Sequence, residues 1–544
     1  IEHSNSNGVI DISYSQNKVY TLICIKDYGV GIDSKDIKHI FERFYKGKNS
    51  SRDSIGIGLA LSKNIIEKDN GSISVNSKKT LGTVFQIKYY RWLNTFYSVF
   101  FFYSIFLQFD NCSYVWYYTN RLREGELVMK EKYLVVNAGS SSLKFSLYEM
   151  PSKREIVNGL IEKIGEGDSA YTLRFDGNKI EEKKDIKNHV DAVNTMLEAL
   201  LKNKFILDMN EIRGVGHRVL HGGEFYSDSV FIDDEVLKNI ESLKKFGPLH
   251  IPGELDGIRS MSKVLKDVPQ VAVFDTAFHQ TMPAKNYLYG VRYDLYEKYG
   301  IRKYGFHGTS YKYITNYMQK KLNKYDVNLV VCHIGSGASL CAIKNGESYD
   351  TSMGLTPLDG TLMGTRSGDV TPAIIKILND EGMSIDDVMY ILNNQSGLLG
   401  IAGKNDCRDV DKLISEGNEK AKLAMEMFED SVVKYIAQYI TSLDGDVDAI
   451  VFTAGIGENN VKFRENVLNK LKNTFSIVIN PALNNKIAKF LENQTGKITS
   501  DYFSEYSVYV VPTDEESVIL EDTYNIVKEK EKEIDTNITL KKTK

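Results

Sequence analysis

Two stretches far apart in the chain carry the same arrangement of small residues. Leu134–Lys144 reads LVVNAGSSSLK and Leu329–Leu340 reads LVVCHIGSGASL. In each, an apolar run gives way to Gly and Ser and then to a second apolar run. That is the pattern of a strand, a tight turn and a returning strand. Small residues let backbone N–H groups approach an anion closely, and Ser hydroxyls add donors. Two such turns facing each other across a cleft would hold a polyphosphate, although either alone reads equally well as an ordinary hairpin. Two arginines fit the same chemistry. Arg218 lies in HRVLHGGE (217–224) and Arg366 in MGTRSGD (363–369). A guanidinium fork binds carboxylate and phosphate oxygens bidentately, which Lys cannot do. A lone Arg in a loop is ordinarily a surface charge. Arg218 stands instead between a His and an apolar pair, and Arg366 among small residues.

The elements that must position these groups belong to stretches of different character. The chain has 544 residues, 42% hydrophobic and 26% charged, with a formal net charge of −4. This suits a protein of several globular domains and gives no electrostatic case for nucleic acid. Cys24, Cys112, Cys332, Cys341 and Cys407 are odd in number and form no CxxC pair. That argues against a disulfide framework or structural zinc and suits a reducing, cytoplasmic setting. The sequence starts at Ile1 rather than Met, without a basic-then-apolar leader, and so reads as a fragment at its N-terminus.

Residues 1–90 read as mixed α/β. In 92–120 Asp110 is the only charged residue, and thirteen aromatics crowd 92–118. Trp92–Phe109, at eighteen residues, is near the lower limit for a membrane span. A buried packing strand is a second reading. The third, preferred here, is translated intergenic sequence over 91–128. Arg123–Glu126 can be encoded by a purine run like a ribosome-binding site ahead of Met129. From Met129 to about Val527 the composition is ordinary, and Lys528–Lys544 is a charged tail, a frayed helix end or disordered.

Residues 27–32 (DYGVGI), 41–45 (FERFY) and 56–61 (GIGLAL), followed by two strand-like runs from Gly71 and Gly82, resemble the ATP-binding domain of sensor histidine kinases. Asp27 would accept from the adenine amino group. Gly56 and Gly58 would open a helix whose N-terminus favours phosphate. The resemblance covers only 1–90. The family's Asn-rich magnesium helix and its phosphoacceptor histidine are missing, so this piece is expected to be inactive.

From Lys132 to about Val527, some eight motifs recur in order: the two turns, HRVLHGGE, PLH (248–250), DTAFHQTMP (275–283), YGFHGTS (304–310), DTSMGLTP (350–357) with MGTRSGD, DCRD (406–409), TAGIGEN (453–459) and PTDEE (512–516). This set resembles the acetate kinase family. The resemblance implies an α/β fold built from a duplicated ribonuclease-H-like domain, as in the acetate and sugar kinase, heat-shock ATPase and actin superfamily. It implies a first lobe over 129–280, a second over 281–527, a homodimer, Mg²⁺ as cofactor, and phosphoryl transfer from ATP to acetate to give acetyl phosphate and ADP.

By the same resemblance, Asp275, His307, Arg218 and Arg366 are the catalytic set. His307 would donate to the transferred phosphoryl, and Asp275 would orient the attacking carboxylate or the clamp. Asp275 is not needed as a general base, because acetate is already ionised at neutral pH. Arg218, Leu220, Leu249, Phe306 and Pro357 would line the acyl pocket. Lys144, Ser140, Ser142, His333, Gly335, Ser336 and Gly337 would face phosphates. Asp406, Arg408, Gly455, Ile456, Gly457 and Asn459 would form the nucleoside side, with Asn137 and Glu515 on the magnesium side. Ser336 stands where the family usually has Asn, which predicts weaker ATP saturation. Ile251, Tyr311 and Thr371 are further departures. A propionate or butyrate kinase, a histidine-kinase-related signalling fusion and a membrane-tethered actin-type ATP-binding protein are the competing readings.

Overall fold

In the computed structural model the described residues are 10–16, 20–33, 35–42, 45, 58–68, 71–79, 82–90, 131–248, 250–488 and 495–542. They fall into two compact units, divided at Leu127 and Val128. The aromatic-rich stretch, with its span, strand and intergenic readings, lies outside the described residues, as do Gly56 and Leu249.

Among its described residues, the N-terminal unit is one antiparallel sheet and a helix. Strands β1 (Ile10–Gln16), β2 (Tyr20–Asp27), β3 (Gly71–Lys78) and β4 (Gly82–Tyr90) lie in the order β1-β2-β4-β3. The helix Gly58–Lys68 packs Ile66 against Ile87 and Tyr89, with Ile23, Ile25 and Ile73 around them. Gly82 opens β4 at φ +91°, where a Cβ would stand 2.0 Å from the carbonyl oxygen of Asp27. No other residue fits there without moving the Asp27 loop. The Asp27 carboxylate accepts from the N–H of Gly29 at 2.8 Å.

The second unit contains two sheets. The first holds β5 (Glu131–Ala138), β6 (Ser142–Met150), β7 (Arg154–Glu162), β8 (Ala170–Phe175), β9 (Asn178–Lys183), β10 (Ile212–Val219), β11 (Val230–Phe231) and β12 (Gln270–Phe274). The second holds β13 (Leu329–Ile334), β14 (Ala338–Lys344), β15 (Glu347–Thr351), β16 (Ala449–Thr453), β17 (Gly496–Lys497) and β18 (Val508–Val510).

Their cores have the same topology. In the first, β5, β6 and β7 form an antiparallel meander, β10 joins parallel to β5, and β12 joins parallel to β10. In the second, β13, β14 and β15 form the meander, β16 joins parallel to β13, and β18 parallel to β16. The duplication expected from the paired turns is therefore present, with each turn joining the first two strands of its sheet. The central parallel strands β12, β13 and β16 are buried along their whole length, as their uninterrupted apolar runs require.

The two halves are not separate in sequence. The helix Glu515–Lys542 follows β18 of the second sheet yet packs on β5, β10 and β12 of the first. The charged tail continues this helix, and Lys528 pairs with Glu131 and Glu531 at 2.7 and 2.8 Å. Glycines in β10 make room for it. A Cβ on Gly216 would stand 2.2 Å from Thr523 Oγ1 and 2.7 Å from Ile519 Cγ2. Gly216→Val should therefore lever the final helix off its sheet and cost about 1–3 kcal/mol of stability. Chemical denaturation checks this, and an unchanged midpoint would mean the helix is not seated as described.

Candidate active site

The parallel strands of both sheets end where the chemistry-bearing residues stand, as in open α/β sheets generally. Arg218 lies in β10 in register with Val273 of β12. Asp275 is two residues beyond Val273 and so returns to the same face of the sheet. The guanidinium takes that carboxylate as a fork. Nε donates to Oδ1 at 3.2 Å and Nη2 to Oδ2 at 2.5 Å. Asp275 is fully buried, whereas the Arg218 side chain is 28% exposed and lines a cavity of about 380 Å³. The carboxylate holds the guanidinium charge and pushes the Arg218 pKa up. Burial pushes the Asp275 carboxyl up, and the Arg218 fork opposes this. On the other side of β10, His217 pairs with Val136 of β5, so Asn137 stands level with Arg218.

The backbone around Asp275 is fixed from two sides. Its N–H donates to Val219 O at 2.9 Å, and its carbonyl accepts from the Gly308 N–H at 2.8 Å. A Cβ on Gly308 would stand 2.2 Å from that carbonyl oxygen. His307, immediately before, is in the left-handed region at φ +59° and begins the helix Gly308–Leu322. Thr309 Oγ1 in the first turn lies 3.4 Å from Asp275 Oδ1 and 3.2 Å from Glu515 Oε1.

His307 stacks on His333 with ring centroids 4.2 Å apart. Each ring is held through Nδ1, His307 by Ser339 Oγ and His333 by Ser310 Oγ, both at 2.8 Å. The Tyr311 hydroxyl reaches the same Ser339 Oγ at 2.5 Å, so this departure from the family pattern helps anchor the histidine. Burial, with His333, Arg218 and Arg366 nearby, lowers the His307 pKa well below 6.5, and burial takes that of His333 to about 4. Both rings are neutral at pH 7. With Nδ1 held by Ser339, His307 Nε2 faces the second turn. A Cβ on Gly337 would lie 3.6 Å from that nitrogen and 3.4 Å from Arg366 Nη1. Arg366 otherwise approaches only the Pro357 carbonyl at 3.4 Å and Met363 Sδ at 3.8 Å among the described residues, and burial lowers its pKa.

The cavity thus joins Arg218, His307 and His333 to Gly335, Ser336 and Gly337 of the second turn. Its far wall is Ala454, Gly455, Glu458 and Asn459, and Thr513 and Glu515 close it. Ala454 is left-handed at φ +64°, and a side chain on Gly455 would meet nothing within 4 Å. Ile456 turns into the hydrophobic core instead, and Gly457 lies over Phe452 and Cys332. Leu220 and Phe306 are buried in one apolar cluster with Met353 and Leu362.

Other expected residues have local partners. Lys144 pairs with Glu516 at 2.5 Å, and Ser146 and Tyr148 also donate to Glu516. Glu515, not Glu516, is the carboxylate at the cavity. In the first turn Ser140 is exposed, and Gly139 N donates to Ser142 O at 2.8 Å. Asp406 caps the helix Cys407–Ser415 and takes the Arg408 guanidinium at 2.6 Å, outside the cavity lining. Among the described residues no group of three His, Cys, Asp or Glu could hold a metal by itself.

Sequence reading gave no role to Thr309 or Glu254. Thr309 is a small hydroxyl whose value lies in what it touches. Glu254 follows a proline in a helix's first turn, where an acidic residue is commonplace. Here it is buried, and its carboxyl accepts from the Leu220 N–H.

Four buried histidines share one consequence. Burial lowers His217, His279 and His333 to about 4 and His221 to about 3. Each is neutral when folded but binds a proton below pH 6.5 when unfolded. Their contribution is whole above pH 6.5 and is lost as pH falls toward 4, by about 1.4 kcal/mol per pH unit for each ring. Melting temperature should therefore fall steeply below pH 6. A level profile down to pH 5 would contradict this.

Residues 132–521 match the family described as "Acetokinase family", and residues 1–91 match "Histidine kinase-, DNA gyrase B-, and HSP90-like ATPase". The chain is 48% identical over 401 residues to the acetate kinase of Bacillus subtilis (strain 168), covering 73% of this chain and 100% of that protein. Two solved structures, a propionate kinase from Francisella tularensis subsp. tularensis SCHU S4 and the Porphyromonas gingivalis acetate kinase, are each 40% identical with a TM-score of 0.68. Each match covers 73% of this chain and 100% of the other. With its duplicated fold and this match across most of its length, the chain belongs to the acetokinase family.

Proposed function

We infer that this chain catalyses reversible, Mg²⁺-dependent phosphoryl transfer between ATP and acetate, giving acetyl phosphate and ADP. The observation that carries the reading is the convergence of Arg218, Arg366 and a neutral His307 on the second Gly/Ser turn. An acetate oxygen forms a bond to the γ-phosphorus, and the bond from that phosphorus to the β,γ-bridging oxygen breaks. Little covalent help is needed; positioning and charge neutralisation do the work. Arg218, set by Asp275, clamps the acetate carboxylate, and Arg366 meets the phosphoryl oxygens. His307 Nε2–H donates to the same oxygens without adding a titrating charge.

Asn137 and Glu515 offer oxygen donors only, the type Mg²⁺ takes while keeping waters and phosphates in its other positions. When bound, the ion neutralises charge on the nucleotide phosphates. Gly335, Ser336 and Gly337 receive those phosphates, and the Gly455 side of the cavity receives the nucleoside. Leu220, Phe306 and Pro357 wall the acyl group. By kinship the working form is a cytoplasmic homodimer. The propionate kinase neighbour supports a second reading, because one methylene in an apolar pocket changes selectivity by only about 1–3 kcal/mol.

Hydroxylamine trapping of acyl phosphate, with Mg-ATP and acetate, propionate or butyrate, tests both. Acetate should give the highest kcat/KM. Arg218→Ala and Arg218→Lys should each lower kcat/KM for acetate at least about a hundredfold, since an ammonium cannot replace the fork. Absence of product with every acid would sink the kinase reading, and a preference for propionate would install the second. Ser336→Asn should lower the KM for ATP, because an amide reaches further toward phosphate than a hydroxyl. An unchanged KM would show that Ser336 is no handicap.

A further inference from the structure

The helix Ile251–Val264 lies between the first Gly/Ser turn and the end of β10. Gly253 is pressed against the turn, where a Cβ would stand 2.6 Å from Gly139 O and 2.9 Å from Ser140 N. Gly257 is pressed equally close to the Ala138 side chain, at 2.6 Å. Glu254, between them, reaches β10 instead. Both its carboxyl oxygens lie 3.2 Å from the Leu220 N–H, and the residue is only 6% exposed. Among the described residues, that N–H is its one hydrogen-bond donor.

A carboxyl group buried for a single amide donor is a costly way to satisfy that donor. Its location accounts for it. Leu220 is two residues beyond Arg218, and its side chain belongs to the same apolar cluster as Phe306. A Cβ on Gly247 would stand 2.9 Å from Leu220 Cδ2, so the leucine cannot shift outward freely. The backbone at Leu220 is therefore the joint between the guanidinium and the apolar wall. Resting on the function inferred above, we propose that Glu254 is a positioning residue for the acyl side of the site. By holding the Leu220 backbone it sets the distance from the Arg218 guanidinium to the apolar wall, and with it the acyl chain length that fits.

The charged groups that face Glu254 are Arg218 of β10 and Asp275 beyond β12. Burial pushes its pKa up to about 8, against the Leu220 N–H and Arg218. Near neutral pH it thus holds the joint without setting another negative charge beside a clamp meant for anions.

The test compares the full-length chain with its E254A and E254Q variants, with acetate, propionate and butyrate at varied Mg-ATP. E254A should raise the KM for acetate about tenfold and level the preference between acetate and propionate, with the KM for ATP unchanged. E254Q, whose amide oxygen accepts the same N–H, should restore both. Above pH 8 the KM for acetate should rise in the wild type and not in E254Q. An unaltered KM and chain-length preference in E254A would overturn the proposal. So would a uniform fall with all three acids and with ATP, accompanied by the same pH response in E254Q as in the wild type. If the wild-type chain forms no acyl phosphate with any acid, the inferred function fails and takes this proposal with it, an outcome distinct from loss confined to the variants.

Discussion

The arrangement of the site depends on the buried ion pair between Arg218 and Asp275. Burying a carboxylate is unfavourable unless a charge partner and hydrogen bonds replace its water. Asp275 has both: the two-pronged guanidinium, and the Thr309 hydroxyl 3.4 Å away. The geometry that satisfies it also leaves the outer face of Arg218 turned to the cavity. The same loop is fixed through its backbone by Val219 and Gly308. His307 precedes Gly308, so the imidazole and the carboxylate are set by adjoining peptide units. A shift of Asp275 would be felt by the clamp, by His307 and, through Thr309, by Glu515.

The duplicated fold supplies the frame for that pair. Each sheet places a Gly/Ser turn and two parallel strand ends at its carboxyl edge. The first sheet contributes Arg218 and Asp275, and the second contributes His333, the Gly335–Gly337 turn and the Ala454 corner. The helix Glu515–Lys542 begins at the cavity and ends packed on the first sheet. Its first residue therefore stands beside Thr309 while its body is anchored by Ile519, Leu520 and Val527. The stacked histidines show the same economy of charge. Burial keeps them neutral, so they stack beside the neighbouring arginines without repelling them. Among the described residues no helix is long and apolar enough to cross a membrane.

The N-terminal unit is a separate fold with its own small core. The four strands and one helix among its described residues fit the histidine-kinase-type ATPase match over residues 1–91. Asp27 accepts from Gly29 in its own loop, and Gly82 is required by the closeness of the Asp27 carbonyl.

The sequence by itself determined the two Gly/Ser turns, the α/β class, the duplication and the two arginines. These are legible because they are local: small residues permit close backbone approach, and apolar runs of strand length mark buried strands. The choice of Glu515 came from the family resemblance, and in the structure Glu515 lines the cavity while Glu516 takes Lys144. The sequence could not show that Arg408 would be taken by Asp406 as a helix cap, or that Lys144 would be taken by Glu516, because each pairing is decided by which neighbour lies nearest in space. Nor could it show that Glu254 would be buried, since an acidic residue in a first helical turn is ordinarily solvated. The neutrality of His307 and His333, the fork on Asp275 and the hold on Leu220 were decided only by tertiary structure. All three arise from removing charged groups from water at positions where strands distant in sequence end side by side.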